Sequence, residues 1–159
     1  MNCFCNHPRQ IFCGMLSANC ENNVVNPVVS TNYGFFNNTL PGQIESEAVI
    51  PLTFVLGSGN AITQNTSTTG TISLMSGVYE ISYTAGAVVP TGNAVSVELQ
   101  LNGVAVDGTE LEVVSVAGQT ENLTQTIMLN VPAESVLALV NTTTETVDFI
   151  NASIAIRRL

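Results

Sequence analysis

The sequence predicts an all-β protein: an antiparallel jelly-roll sandwich of about eight to ten strands behind an extended N-terminal arm. Three observations carry this. Apolar residues alternate with polar ones over many short runs, the period of a half-buried strand. Gly, Pro and Asn turns separate the runs at intervals of roughly 8 to 12 residues, as in sandwiches and barrels. No window of the main body keeps a 3.6-residue repeat, and the β-branched content disfavours helix. The division follows: residues 1–30 form a cysteine-bearing arm or connector, and residues 31–159 form the sandwich.

The candidate strands run in order. "NYGFFNN", "EAVIPLTF" and "TGTISLM" supply the first three, with "GSGNAITQNTSTTG" at 57–70 read as a polar loop between the last two. "GVYEISYTA" sets Tyr79, Ile81 and Tyr83 against Val78, Glu80 and Ser82. "AVSVELQL" at 94–101 places Val95, Val97, Leu99 and Leu101 on one face and Ser96, Glu98 and Gln100 on the other. Asn102-Gly103 follows, a hairpin signal because a type I′ turn needs positive φ at both central positions. "ELEVVSV", "NLTQTIMLNV" and "SVLALVN" come next, and "VDFINASIAIRRL" alternates Ile150, Ala152, Ile154 and Ile156 with Phe149, Asn151 and Ser153. No internal repeat is present.

Composition narrows function. The chain of 159 residues is 45% hydrophobic and 9% charged, so Asn, Thr, Ser and Gln must keep the surface soluble. It has no lysine and a net charge of −9, with all twelve carboxylates lying between Arg9 and Arg157. That balance argues against nucleic acid and against anionic membrane surfaces, both of which need Lys or Arg. Assembly must rest on apolar contact, backbone pairing or covalent bonds. No apolar run is long enough for a membrane helix. The N-terminus lacks the basic and apolar regions of a secretory signal, yet the composition suits an exposed, oxidising final location.

Catalysis finds little support, and no enzyme is expected. The single histidine, His7, lies in the arm, so no base can be held beside a nucleophile on the rigid body. Glu45/Glu47 and Glu110/Glu112 read as solvated pairs on strand faces. Asp107, Glu110 and Glu112 lack the dense spacing of a calcium loop and read as a turn. No cofactor is expected. Asn37, Asn65, Asn122, Asn141 and Asn151 head Asn-x-Ser/Thr triplets, which an Asn/Thr-rich chain generates by composition.

At "SGVYEISYTA", "VELQLNG", "LNVPAESVLALVN" and "FINASIAIRRL" the chain resembles the jelly-roll domain at the tip of the collagen-like glycoprotein of the bacterial exosporium. More generally it resembles the complement and tumour-necrosis-factor superfamily. The resemblance spans roughly residues 30–159 and lies in the order and spacing of the pieces. It implies a homotrimer on a spore surface, made in the mother-cell cytosol without a secretory signal. No Gly-X-Y repeat precedes the jelly roll. In its place stands a cysteine arm similar to that of fibre-forming endospore appendage subunits and exosporium basal proteins, in some of which such a segment docks into the neighbouring subunit.

The arm carries Cys3, Cys5, Cys13 and Cys20. Their spacing does not suit zinc, whose knuckles use Cys-x₂₋₄-Cys pairs, so no metal site is expected. Cys3 and Cys5 stand at the edge of disulfide geometry on an extended strand, which favours bridges between chains. The alternative, a tail with incidental free thiols, stays open. Phe4, Ile11, Phe12, Met15 and Leu16 are candidate docking anchors, because an extended peptide with such side chains can add to a sheet edge or fill a groove. The expected role is a structural subunit of a spore surface layer or appendage fibre, self-assembling as trimers linked through the arm. Other spore-surface proteins are candidate partners. The alternative is a trimeric spore-surface binding or adhesion module displaying loops to a receptor or glycan.

Overall fold

A computed structural model describes residues 31–38 and 41–159. The arm at 1–30, with its cysteines and anchors, lies outside the described residues. The rest is all-β, in twelve strands: β1 (Tyr33–Asn37), β2 (Gly42–Ile44), β3 (Thr53–Ser58), β4 (Ile62–Gln64), β5 (Ile72–Leu74), β6 (Gly77–Val88), β7 (Ala94–Leu101), β8 (Val104–Ala105), β9 (Leu111–Val114), β10 (Thr120–Val131), β11 (Ser135–Asn141) and β12 (Val147–Arg158). Short elements, β2, β4 and β8, take the count past the expected range.

Two antiparallel six-stranded sheets result. One runs β10-β6-β12-β1-β3, with β2 also paired to β12; the other runs β4-β5-β11-β7-β8, with β9 also paired to β7. Between them Tyr79, Ile81 and Tyr83 of β6, Val95, Val97 and Leu99 of β7, Leu137 and Leu139 of β11, and Ile154 and Ile156 of β12 are buried in one core. The alternation read in β6 and β7 therefore decides which side chains leave water, the main driving term for the fold. The hairpin after β7 forms as expected: Asn102 has φ 54° and Gly103 φ 77°, joining Leu101 to Val104.

Several expectations are corrected. In β12 the register with β6 shifts between Phe149 and Asn151. The bulge inserts one residue, so Phe149 points into the core at 0% exposure while Ile150 faces out at 38%. "EAVIPLTF" is not one strand. Glu47 turns at φ 60°, Val49 makes an isolated bridge to Val140, and regular pairing starts only at Thr53. Glu45 and Glu47 are therefore not alternate residues of a strand. Within the supposed loop 57–70, Ile62–Gln64 pairs with β5, and the Gln64 carboxamide receives the Phe54 N–H and donates to the Leu52 and Thr71 carbonyls. Side-chain bonding anchors a strand that hydrophobic patterning does not show.

Asn141 is wholly buried and joins the 44–48 segment to β11. Its Nδ2 donates to the carbonyls of Ile44, Glu45 and Glu145, and its Oδ1 accepts from the Thr143 N–H. Burial removes it from the glycosylation candidates.

Tyr83 gives the core a pH limit. The one proton of its hydroxyl is shared between the Thr109 carbonyl and Gln125 Oε1 (2.5 Å), and burial pushes its pKa from 10.0 to about 12. Burial also raises Tyr79, opposed by the Arg158 charge. The folded chain thus holds the Tyr83 proton more tightly than the unfolded chain does. The contribution is complete below pH 10 and is lost as pH rises through about 12. Between those limits wild type should lose about 2 kcal/mol more stability than Tyr83→Phe, whose baseline is lower but flatter. Urea melts at a series of alkaline pH values measure the two slopes, and parallel slopes would contradict the assignment.

Candidate assembly surface

The outward face of the β10-β6-β12-β1-β3 sheet is built by the residues that alternate with the core. Strand registers place them in rows. Thr126, Ser82, Ala155, Phe35 and Leu56 form one, and Thr124, Thr84, Ser153, Asn37 and Thr53 the next. Met128, Glu80, Arg157 and Tyr33 lie on one side of these, and Asn122, Gly86 and Asn151 on the other.

Charge is nearly absent from these rows. Eleven of the twelve carboxylates lie in residues 31–159, yet the four rows hold a single one, Glu80. It is neutralised by Arg157 in the same row, Nη2 to Oε2 2.5 Å. The pair is exposed and contributes little by itself; its effect is to leave the rows with no net charge.

Two chemistries divide the face. Toward β10 the hydroxyls pair across strands: Ser82 Oγ with Thr126 Oγ1 at 2.7 Å and Thr84 Oγ1 with Thr124 Oγ1 at 3.0 Å. Such pairs satisfy one another, so covering them with protein costs less than covering free hydroxyls. Toward β3 stand Tyr33, Phe35 and Leu56, and a shallow groove beside them is lined by Tyr33, Gly34, Phe35, Ala155, Ser82 and the Glu80–Arg157 pair. A Cβ at Gly86 would meet the Asn151 carboxamide at 2.6 Å and Asn122 Oδ1 at 2.8 Å, so a side chain there would push both carboxamides aside.

The opposite sheet differs. Its outward side carries Glu98 and Glu112, and a cleft beside it is lined by Ser96, Glu110, Glu112, Thr142, Thr143 and Glu145. Among the described residues, no group of three or more His, Cys, Asp or Glu could hold a metal ion. Asp107 and Glu110 lie between β8 and β9, while Glu112 lies within β9, so Glu110 and Glu112 are not alternate residues of one strand. The sequence-predicted site residues, Cys3, Cys5, Cys13, Cys20, Phe4, Ile11, Phe12, Met15 and Leu16, lie outside the described residues. The weakly charged face was missed in the sequence, although its signal was there: Ser, Thr and Asn take most of the outward positions of three long strands, Glu80, Arg157 and Asp148 being the charged ones.

Among the described residues, no helix is long and apolar enough to cross a membrane. No protein-family model matches the sequence, and no curated protein sequence matches it. Solved structures do. The chain is similar to the Eiger tumour necrosis factor of S. frugiperda, 13% identical, with a TM-score of 0.66 over 82% of this chain and 94% of that one. It is similar to the globular domain of zebrafish complement 1qA, 10% identical, TM-score 0.62, over 79% and 94% of the two chains. Murine APRIL is similar at 5% identity and a TM-score of 0.57, over 80% and 99%. At these identities the likeness speaks for architecture. The described body has the jelly-roll fold of the tumour necrosis factor and complement C1q globular domains.

Proposed function

We propose that this chain is a structural, non-catalytic subunit of a bacterial spore surface layer or endospore appendage, built of homotrimers that meet through the outward face of the β10-β6-β12-β1-β3 sheet and are linked onward by residues 1–30. The observation that carries this is the weakly charged face on a chain of net charge −9. A face meant for water on so acidic a protein would share its carboxylates; the four rows of this one hold a single carboxylate, paired to Arg157, with Asp148 beyond them at the end of β12, as the buried part of an interface does. In the row Thr126, Ser82, Ala155, Phe35 and Leu56 the hydroxyls and the apolar side chains lie at opposite ends. A cyclic arrangement, each copy presenting one side to the other side of the next, closes at three copies without a self-complementary patch.

The lysine-free surface supports the spore assignment, as do the cysteines confined to the first twenty residues and the resemblance to exosporium jelly rolls. Apolar anchors Phe4, Ile11, Phe12, Met15 and Leu16 give the arm register on a neighbouring subunit, and Cys3, Cys5, Cys13 and Cys20 make the joint permanent once the mother cell lyses. Contacts of this head-to-tail kind generate filaments.

Native mass spectrometry of the reduced chain should give three times the 16.7 kDa subunit. Negative-stain microscopy without reductant should then show fibres, and deletion of residues 1–20 should leave soluble trimers. A monomer sinks the assembly reading. Trimers that remain discrete particles under oxidation favour the trimeric binding module instead, and fibres that survive the deletion remove the arm from the mechanism.

A further inference from the structure

Strand β10 ends its sheet, and its exposed side chains are Thr120, Asn122, Thr124, Thr126, Met128 and Asn130. Five of these are Thr or Asn. Met128 is the exception, and at 64% exposure it is the most exposed large apolar side chain of the four rows. Its own row runs on through Glu80 and Arg157 to Tyr33. Those three residues, with Phe35, Ser82 and Ala155 of the next row, line the shallow groove of the outward face, whose volume is about 290 Å³.

We infer that Met128 of one copy seats in this groove on the next copy, one such contact at each of the three joints of the trimer. This deepens the homotrimer reading above and rests on it. A neighbour must supply the side chain, because the aromatic end of the groove at Tyr33 and Phe35 stands three strand spacings, about 14 Å, from β10, with Glu80 and Arg157 between. Height fits as well. With the three-fold axis along the strands, rotation keeps each row at its own level, and Met128 shares its level with Glu80, Arg157 and Tyr33.

Chemistry selects the same pair. A thioether is unbranched and polarizable, adapts to an irregular gap and gains from the edges of aromatic rings, which Tyr33 and Phe35 supply. It adds no charge beside the neutral Glu80–Arg157 pair. The hydroxyls near it cannot fix the register between two copies, because Thr126 and Thr124 already bond to Ser82 and Thr84 of their own subunit. Met128 can. A slide of two residues along β10, about 7 Å, would bring Thr126 or Asn130 to the groove in its place and set a polar group against the aromatic rings.

Resizing the two partners in the full chain under reductant tests this, with native mass spectrometry over a dilution series as the readout. Met128→Ala and Ala155→Leu, the second of which fills the groove, should each raise the concentration at which half the trimer dissociates by at least about ten-fold. In the Ala155→Leu background, Met128→Ala should instead lower it, since the shortened side chain relieves the crowding. Met128→Ala that loosens both backgrounds alike overturns the inference. So does Ala155→Leu that changes nothing, and so does a loosening by Ala155→Leu that Met128→Ala does not relieve, which assigns the groove to another segment. Should Ala155→Leu fail to fold, dilute hydrogen peroxide on the wild-type trimer decides: Met128 should form its sulfoxide more slowly than Met75, although the isolated subunit exposes them at 64% and 44%, and a faster Met128 overturns the inference. A monomeric wild type overturns the trimer reading as well, whereas a trimer indifferent to resizing overturns this contact alone.

Discussion

Phe149→Ala is expected to cost about 3–5 kcal/mol, and Ile150→Ala less than about 1. The two residues are neighbours of similar hydrophobicity, so the contrast isolates the effect of the bulge. Phe149 is fully buried, among the largest side chains of the core, and its truncation leaves a cavity that two hydrogen-bonded sheets cannot close. Ile150 is the extra residue of the bulge and faces out, so its truncation removes only partly buried surface. The alternation in the sequence predicts the reverse ranking for these positions. Equilibrium urea denaturation at neutral pH measures both. A costly Ile150→Ala with a mild Phe149→Ala would show that β12 pairs with β6 without the register shift.

That contrast marks where the fold is legible in the sequence and where it is not. The faces of β6 and β7 follow from period-two alternation, because neither strand carries an inserted residue, the shift in the β6–β12 pairing lying in β12. Asn102-Gly103 announces its turn because few other pairs tolerate two positive φ values. A bulge leaves no such mark: one inserted residue reverses the faces on one side of it, and a run such as Val-Asp-Phe-Ile-Asn alternates acceptably in either frame. Strand β4 is hidden for another reason. Ile62–Gln64 lies among Thr, Ser and Asn, and its place depends on Gln64 bonding to backbone groups of distant residues. The assembly face is intermediate. Its residue types are readable, but that Ser82 meets Thr126 and Glu80 meets Arg157 depends on pairings between residues 44 and 77 positions apart.

Introducing two carboxylates at the centre of that face, Thr84→Glu with Thr124→Glu, is expected to convert the trimer proposed above to monomer at micromolar concentration while far-UV circular dichroism stays unchanged. The two threonines lie directly opposite each other, and their hydroxyls meet at 3.0 Å. In the isolated subunit the new side chains can turn into water, so the fold loses about 1 kcal/mol or less through like-charge proximity. In the trimer they would be buried against a neighbour's face whose one cation, Arg157, is already paired to Glu80. An uncompensated buried charge costs about 3–5 kcal/mol, and three copies carry six of them. Gln100→Glu, beside Glu98 on the outward side of the other sheet, adds the same kind of charge where carboxylates already stand and should leave the trimer intact. Salt gives an independent reading: wild-type subunits of net charge −9 repel one another, so screening should tighten their association. Light scattering coupled to size exclusion reads all three effects. A trimer that survives Thr84→Glu/Thr124→Glu would mean that these rows face water in the assembly, and the exclusion of charge from them would then need a cause other than burial between subunits.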